Sequence, residues 1–135
     1  MMSISTFDEL LSAARGQSQP QTLIMVFAGA ELADDSTPEQ RARFEAGDGG
    51  ALVPLMAVEK SPGDIADFAA LEAESRQFGK DWVIVFVAAL AGRNGAAPAS
   101  AEVEQAQDRM MESIRQGRLS AFAPFDRQGQ PVQFS

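Results

Sequence analysis

The sequence predicts an α/β domain in which helices pack on both faces of a mixed β-sheet. Two runs, Leu23–Ala28 and Trp82–Val87, are apolar at every position, which is typical of central strands covered on both faces. Segments with helical spacing alternate with the strands, and this alternation favours parallel βαβ units. The chain ends in two short apolar segments joined by Asp126–Gly129, which suits a hairpin turn. We expect about five strands in the order α-β-α-β-α-β-α-β-β, with an α+β arrangement as the alternative.

The first helix is indicated by apolar residues at helical spacing. Phe7, Leu10, Leu11 and Ala14 occupy positions i, i+3, i+4 and i+7. Ser5 is placed to cap the helix, and Gly16 to end it.

The next two elements are predicted from capping residues and proline. Thr37 before Pro38, with Gln40 three residues after Thr37, forms a capping box for a short helix that stops at Gly47. Leu52–Val58 reads as a strand. Because Pro54 has no N–H to donate, we place this strand at a sheet edge or expect it to start late.

Two further helices and a C-terminal hairpin complete the prediction. Ser61–Asp64 opens a helix with Ile65, Phe68 and Leu71 on one face, closing at Gly79. Ser100 is expected to cap the last helix, whose apolar stripe ends before Gly117; the stripe consists of Val103, Ala106, Met110 and Ile114. The segments 119–125 and 132–134 form the final two strands.

Length and composition predict one domain, spanning residues 1–135, and exclude several reaction classes. A chain of 135 residues with 45% hydrophobic content can form a core without disulfides or metals. It contains no Cys, no His and no Tyr. Thiolate chemistry, Cys/His zinc sites, His-based triads and Tyr acid catalysis are therefore ruled out. We expect no cofactor.

The charge distribution argues against nucleic acid and membrane partners. The net charge is −8, and residues 31–80 carry eleven acidic and five basic side chains, a net charge of −6. A negative surface repels phosphate backbones and anionic lipids. The longest apolar runs are about half the ~20 residues that a membrane-spanning helix needs. Because the N-terminal residues also lack a secretory signal pattern, we expect a cytoplasmic protein.

Several segments carry a family resemblance; they are residues 5–11, 26–32, 37–41 and 124–132. Together these segments resemble a family of small bacterial proteins that often carry the name "ribonucleotide reductase subunit alpha". Reductase catalytic subunits need a radical-bearing Cys and a redox Cys pair within a barrel of several hundred residues. Because this chain has no Cys, the resemblance implies no reductase activity here.

A second similarity is to the enhanced serine sensitivity (SseB-type) domain. In that domain a helix and a strand precede a Gly-rich acidic segment and a Leu-Pro-Leu-Phe-Thr-Ser strand. The corresponding residues here are 52–57, which lack the Thr-Ser pair. The similarity implies an α+β domain with a binding role.

An acidic stretch between the first two strands has two interpretations. It consists of Glu31, Asp34, Asp35, Glu39, Glu45 and Asp48. Carboxylates suit Mg²⁺ or Ca²⁺, but the spacing is not that of a calcium loop, and Glu39 is already explained by the helix start. A hydrated surface is the simpler reading, and we predict no metal site.

The loop Gly92-Arg93-Asn94-Gly95 is the best candidate for a small ligand, because it follows a central strand and precedes a helix. Exposed N–H groups and Arg93 would suit an anion or a nucleotide phosphate. The segment matches neither standard phosphate-binding motif, so an ordinary surface loop is the alternative.

Four arginines are candidates for docking a partner: Arg109, Arg115, Arg118 and Arg127. Arginine is favoured at interfaces. Cations at a helix C-terminus also stabilise the helix, which by itself explains Arg115 and Arg118.

We therefore predict a non-catalytic interaction or regulatory domain that binds a protein partner or self-associates. A ligand-binding domain that uses Gly92–Gly95 is the alternative. An enzyme based on carboxylates or Mg²⁺ comes third, because no convergent pair of carboxylates is identifiable.

Overall fold

The structure, a computed structural model, describes residues 6–31, 37–45 and 51–133. The helices are α1 (Phe7–Arg15), α2 (Pro38–Glu45), α3 (Phe68–Ser75) and α4 (Ser100–Arg115), and the strands are β1 (Gln21–Glu31), β2 (Ala51–Lys60), β3 (Ile84–Ala91) and β4 (Ala123–Phe125). Short 3₁₀ turns at Pro62–Asp64 and Arg76–Phe78 flank α3. The predicted mixture of helices and sheet is confirmed.

The four strands form one sheet in the order β2-β1-β3-β4, and every neighbouring pair is antiparallel. The expectation of adjacent parallel strands is wrong. β2 and β3 do run in the same direction, but β1 lies between them. The alternation of helices and strands along the chain does not determine the order of the strands in the sheet. That order depends on pairing between residues that are distant in sequence.

β1 is the central element, and its two faces contact different helices. Leu23, Met25 and Phe27 point to the face that carries α1 and α3, whereas Ile24 and Val26 point to the face that carries α4. All of these residues are at most 1% exposed. The prediction of a strand covered on both faces is confirmed, because an uninterrupted apolar run has no face that tolerates water.

β2 is an edge strand, in agreement with the position of Pro54. Its register with β1 shifts between Phe27 and Ala28, which pair with Met56 and Pro54 and leave Leu55 as the extra residue of a bulge. Gly29 lies beneath the bulge, where a Cβ atom would come within 2.9 Å of the Leu55 side chain. A side chain at position 29 would therefore displace the Leu55 side chain.

The face that carries α1 and α3 is closed by aromatic side chains. The Phe7 ring makes edge contacts with Phe68 at 5.2 Å and Phe125 at 5.7 Å, and Phe27 makes one with Trp82 at 4.9 Å, measured between ring centroids. Such contacts contribute roughly 0.5–1.5 kcal/mol each beyond the burial of area. We call this the aromatic face.

α4 covers the opposite face with a narrower stripe, which we call the α4 face. Val103, Met110 and Ile114 are buried on it, as predicted, and Ala106 is partly buried. The helix ends as expected near Gly117, whose φ of 76° and whose N–H bond to Ile114 O belong to a Schellman motif; Arg118 N–H completes the motif by donating to Ser113 O.

Two predicted N-caps lie one residue away from the observed ones. Thr6, and not Ser5, accepts the Glu9 N–H at the start of α1, and Ser5 itself lies outside the described residues. Ala99 occupies the N-cap of α4, so Ser100 is its first helical residue. Neighbouring hydroxyls are equivalent in a sequence pattern, and only backbone geometry selects between them.

The third helix starts later than expected. Pro62–Asp64 forms a separate 3₁₀ turn, and α3 begins at Phe68 after Asp67, whose carboxylate accepts the Ala70 N–H at 2.8 Å. Asp8 of α1 accepts the Phe68 N–H at 2.8 Å and so joins the two helices. Gly79 closes the element, as predicted, with a φ of 66°.

The C-terminal hairpin is only partly formed. The Asp126–Gly129 turn is present, because Gly129 N–H donates to Asp126 O and Gly129 has a φ of 77°. However, β4 has three residues in place of the expected 119–125, and the returning segment contributes one bridge, from Pro131 to Phe125. The expectation of five strands is not met among the described residues, and position 134 lies outside them.

Candidate functional site

The Gly92–Gly95 loop is a tight hairpin turn. Arg93 and Ala96 exchange both backbone hydrogen bonds, at 3.0 and 2.9 Å, and the two residues between them have positive φ, 53° for Asn94 and 77° for Gly95. These are the features of a type I′ turn, for which Asn-Gly is the preferred sequence. The Asn94-Gly95 pair is therefore a sequence signal for this turn.

Most N–H groups of this loop already have acceptors within the protein. Gly92 N–H donates to Pro20 O at 2.7 Å, and Gly95 N–H donates to Gln19 Oε1 at 2.8 Å. The Arg93 guanidinium lies 3.5 Å from a carboxylate oxygen of Glu102. The loop is therefore occupied by internal contacts, and anion binding there stays a prediction without support from the geometry.

The four candidate arginines do not share one surface. Arg109 and Arg115 lie on α4 and Arg118 follows that helix, whereas Arg127 lies on the aromatic face. Arg115 is 3.5 Å from Glu112, one turn back, an exposed pair of the kind that contributes little. Three of the candidates therefore lie at one helix, and Arg127 lies on the other face of the sheet.

The Arg127 guanidinium lies over the ring of Trp82, the only tryptophan of the chain. Its guanidinium carbon lies 4.6 Å from the Trp82 ring centroid, and Nη1 donates to the Trp82 carbonyl at 3.3 Å. Nη2 donates to Glu72 Oε1 at 2.7 Å. The Trp82 indole N–H donates to Ser75 Oγ at 2.9 Å, and that hydroxyl donates to the Glu72 carbonyl at 2.6 Å. Arg127 is therefore held in place by internal contacts while its side chain is 34% exposed, and a role in docking stays a prediction.

Glu72 is the centre of this network. Arg76 donates to both of its carboxylate oxygens, at 3.0 and 2.6 Å, and the Glu72 side chain is 12% exposed. Hydrogen bonds from Arg76 and then from Arg127 hold the pKa of Glu72 below its ordinary value. No local sequence pattern predicts this cluster, because Glu72 and Arg127 are 55 positions apart.

The acidic stretch is only partly described. Glu39 lies in the first turn of α2 and is exposed, which agrees with its role at the helix start. Glu31 ends β1 and Glu45 ends α2, while Asp34, Asp35 and Asp48 lie outside the described residues. Within the described ranges there is no group of three carboxylates that could hold a metal ion.

The outer edge of β2 is the longest unpaired backbone edge in the described part of the sheet. β2 has ten residues and pairs only with β1. Every side chain from Leu52 to Val58 is half-buried, so none is covered as fully as the residues of β1. The opposite edge, β4, is three residues long and is bridged by Pro131.

Two large apolar side chains outside the strands are also exposed. Phe78 is 53% exposed and Val83 is 43% exposed. Isolated apolar side chains of this kind are normal on a protein surface, so they do not by themselves mark a site.

No protein-family model, curated protein or solved structure matches this chain. The resemblances to the reductase-named family and to the SseB-type domain therefore stay predictions. Among the described residues, no helix has the length and apolar character required to cross a bilayer.

Proposed function

We propose that the protein is a non-catalytic interaction domain that pairs with a second copy of itself through the outer edge of β2. The observation that carries this proposal is a ten-residue edge strand with half-buried apolar side chains on both faces. An exposed strand edge offers unpaired N–H and C=O groups to another chain.

The segment Met56–Lys60 is the part of β2 suited to pairing. Pro54 and the bulge at Leu55 interrupt the first half of the strand, and both features discourage pairing there. From Met56 onward the register with β1 is regular. A second strand therefore has a short, regular template at one end of the edge.

Charge favours a second copy as the occupant. Residues 51–58 carry no charge, in a chain whose net charge is −8. A two-fold axis at Val58, the middle of Met56–Lys60, pairs Glu59 with Ala57 and Lys60 with Met56 of the other copy, so like charges are not directly opposite. Like charges directly across a strand pair would destabilise it.

Long-range repulsion between two acidic copies opposes the pairing. Salt screens this repulsion, so self-association should strengthen as the ionic strength rises. Binding of a basic partner protein would weaken under the same conditions, and salt therefore distinguishes the two kinds of partner. One strand edge is a small interface, so we expect a dissociation constant on the order of 10–100 μM.

Sedimentation velocity tests the proposal. The average sedimentation coefficient should rise with protein concentration, and it should rise more steeply at about 1 M than at about 0.1 M NaCl, where the Debye lengths are about 3 Å and about 10 Å. Met56→Lys should remain monomeric, because it places a cation directly opposite Lys60 of the other copy. Met56 is half-buried, and lysine has a similar length.

Val83→Lys is the matched control. It introduces the same charge at an exposed valine on the far side of β1 and should associate like the wild type. A wild-type protein that stays monomeric at both salt concentrations contradicts the proposal, and so does equal loss of association in the two variants. The wild-type salt series keeps the test decisive if Met56→Lys does not fold.

A further inference from the structure

An apolar cleft of about 190 Å³ opens between α4 and the sheet. Its walls include Ile24 of β1, Ala88 of β3, and Ala106 and Met110 of α4, with Phe122 closing one side. The cleft exists because short side chains face each other: Ala88 pairs with Ile24 across the sheet, and Ala106 lies above them on the helix. An alanine pair leaves unfilled the space that larger side chains occupy elsewhere in the core.

Arg109 contributes the one polar side chain to the lining. Its Nε donates to the Gln105 carbonyl at a long 3.4 Å, and no carboxylate within the described ranges lies within ion-pair distance of it. Arg115, two turns further along the same helix, has Glu112 as a partner. The cleft therefore combines an apolar body with a cation that has no counter-ion among the described residues.

An apolar cleft with one convergent cation is complementary to a small hydrophobic anion. The volume sets the size of the apolar part, since a cavity of about 150 Å³ lined by apolar side chains accepts a benzene ring. The net charge of −8 favours a ligand with a single negative charge, because a polyanion would be repelled by the rest of the molecule.

We propose that this cleft binds a small aromatic monocarboxylate, with the ring between Ala88 and Ala106 and the carboxylate on Arg109. This site is separate from the β2 edge, so it does not depend on the proposed self-association. Both terminal nitrogens of the guanidinium are available for a bidentate contact with the carboxylate, as far as the described residues show.

Titration with benzoate, followed by amide NMR spectra of the full chain, tests the assignment. Benzoate should shift the amides of Ala88, Ala106 and Met110. Benzamide, which has the same shape without the charge, should bind at least about tenfold more weakly, because it cannot form the charge-assisted bidentate contact with Arg109. Acetate, which has the charge without the ring, should leave these amides unchanged.

Variants separate the contribution of the charge from that of the cleft. Arg109→Gln should reduce benzoate affinity to the level of benzamide without changing benzamide affinity, and Arg115→Gln, the matched control, should bind like the wild type. Ala106→Leu should abolish binding of both ligands by filling the space. The proposal is overturned if benzoate shifts amides elsewhere only, if it binds no better than benzamide, or if Arg109→Gln binds it like the wild type.

Discussion

The two faces of the sheet differ in their packing and in the partners of their arginines. On the aromatic face, Phe7 is fully buried and makes ring contacts with a helix and a strand, and Arg127 and Glu72 are joined by an ion pair. On the α4 face, alanines leave a cleft, and Arg109 has no carboxylate partner within the described ranges. The comparison shows that the polar network lies on one face and the unfilled space on the other.

Truncating one phenylalanine on each face should give the largest difference in the free energy of unfolding between the two faces. Phe7→Ala should destabilise the protein by about 3–5 kcal/mol, because it removes a buried ring and leaves a cavity. Phe122→Ala should cost about 1–2 kcal/mol, since Phe122 is half-buried beside a space that already exists. Urea unfolding followed by circular dichroism measures both values, and equal costs would show that the faces are packed alike.

Enlarging an alanine sharpens the comparison by locating the open space within the α4 face. Ala106→Leu places its extra atoms in the cleft and should change the free energy of unfolding by less than about 1 kcal/mol. Ala28→Leu, on the same face but fully buried, should destabilise by about 1–3 kcal/mol through overpacking. Thermal unfolding compares the two variants. A large cost for Ala106→Leu would mean that the cleft closes in solution.

The smallest effect concerns the Glu72 network. Because the pKa of Glu72 is lowered in the folded protein, its contribution to stability is present above the ordinary value of 4.5 and is lost as the pH falls through the folded value. Arg76→Gln should raise the pKa of Glu72 more than Arg127→Gln does, because the hydrogen bonds from Arg76 are the larger cause.

A carbon-13 NMR titration of the Glu72 carboxyl measures these pKa values in the wild type and in both variants. The reverse order of the variants would show that Arg127, and not Arg76, is the main partner of the carboxylate in solution.

Features set by nearby residues could be predicted from the sequence. The buried central strand follows from an uninterrupted apolar run, the edge position of β2 follows from Pro54, and the last turn follows from Asp126 and Gly129. Two observations explain why position 129 is glycine: its φ is positive, and a Cβ there would lie 2.9 Å from the Phe68 ring.

Features set by distant residues could not be predicted. The strand directions depend on β1 inserting between β2 and β3, and the apolar cleft depends on Ala88 and Ala106 meeting across 18 positions of chain. Arg127 is near the helix arginines in sequence, yet Trp82 and Glu72 hold it on the other face of the sheet.

Amide hydrogen exchange over a concentration series tests self-association through β2 most directly. As the concentration rises from about 10 μM to about 500 μM, a range that spans the affinity expected of a small interface, amides of Met56–Lys60 that do not bond to β1 should gain protection. Amides of β4 should not change. Protection at β2 that is independent of concentration, or a gain at β4 in its place, would contradict pairing through this edge.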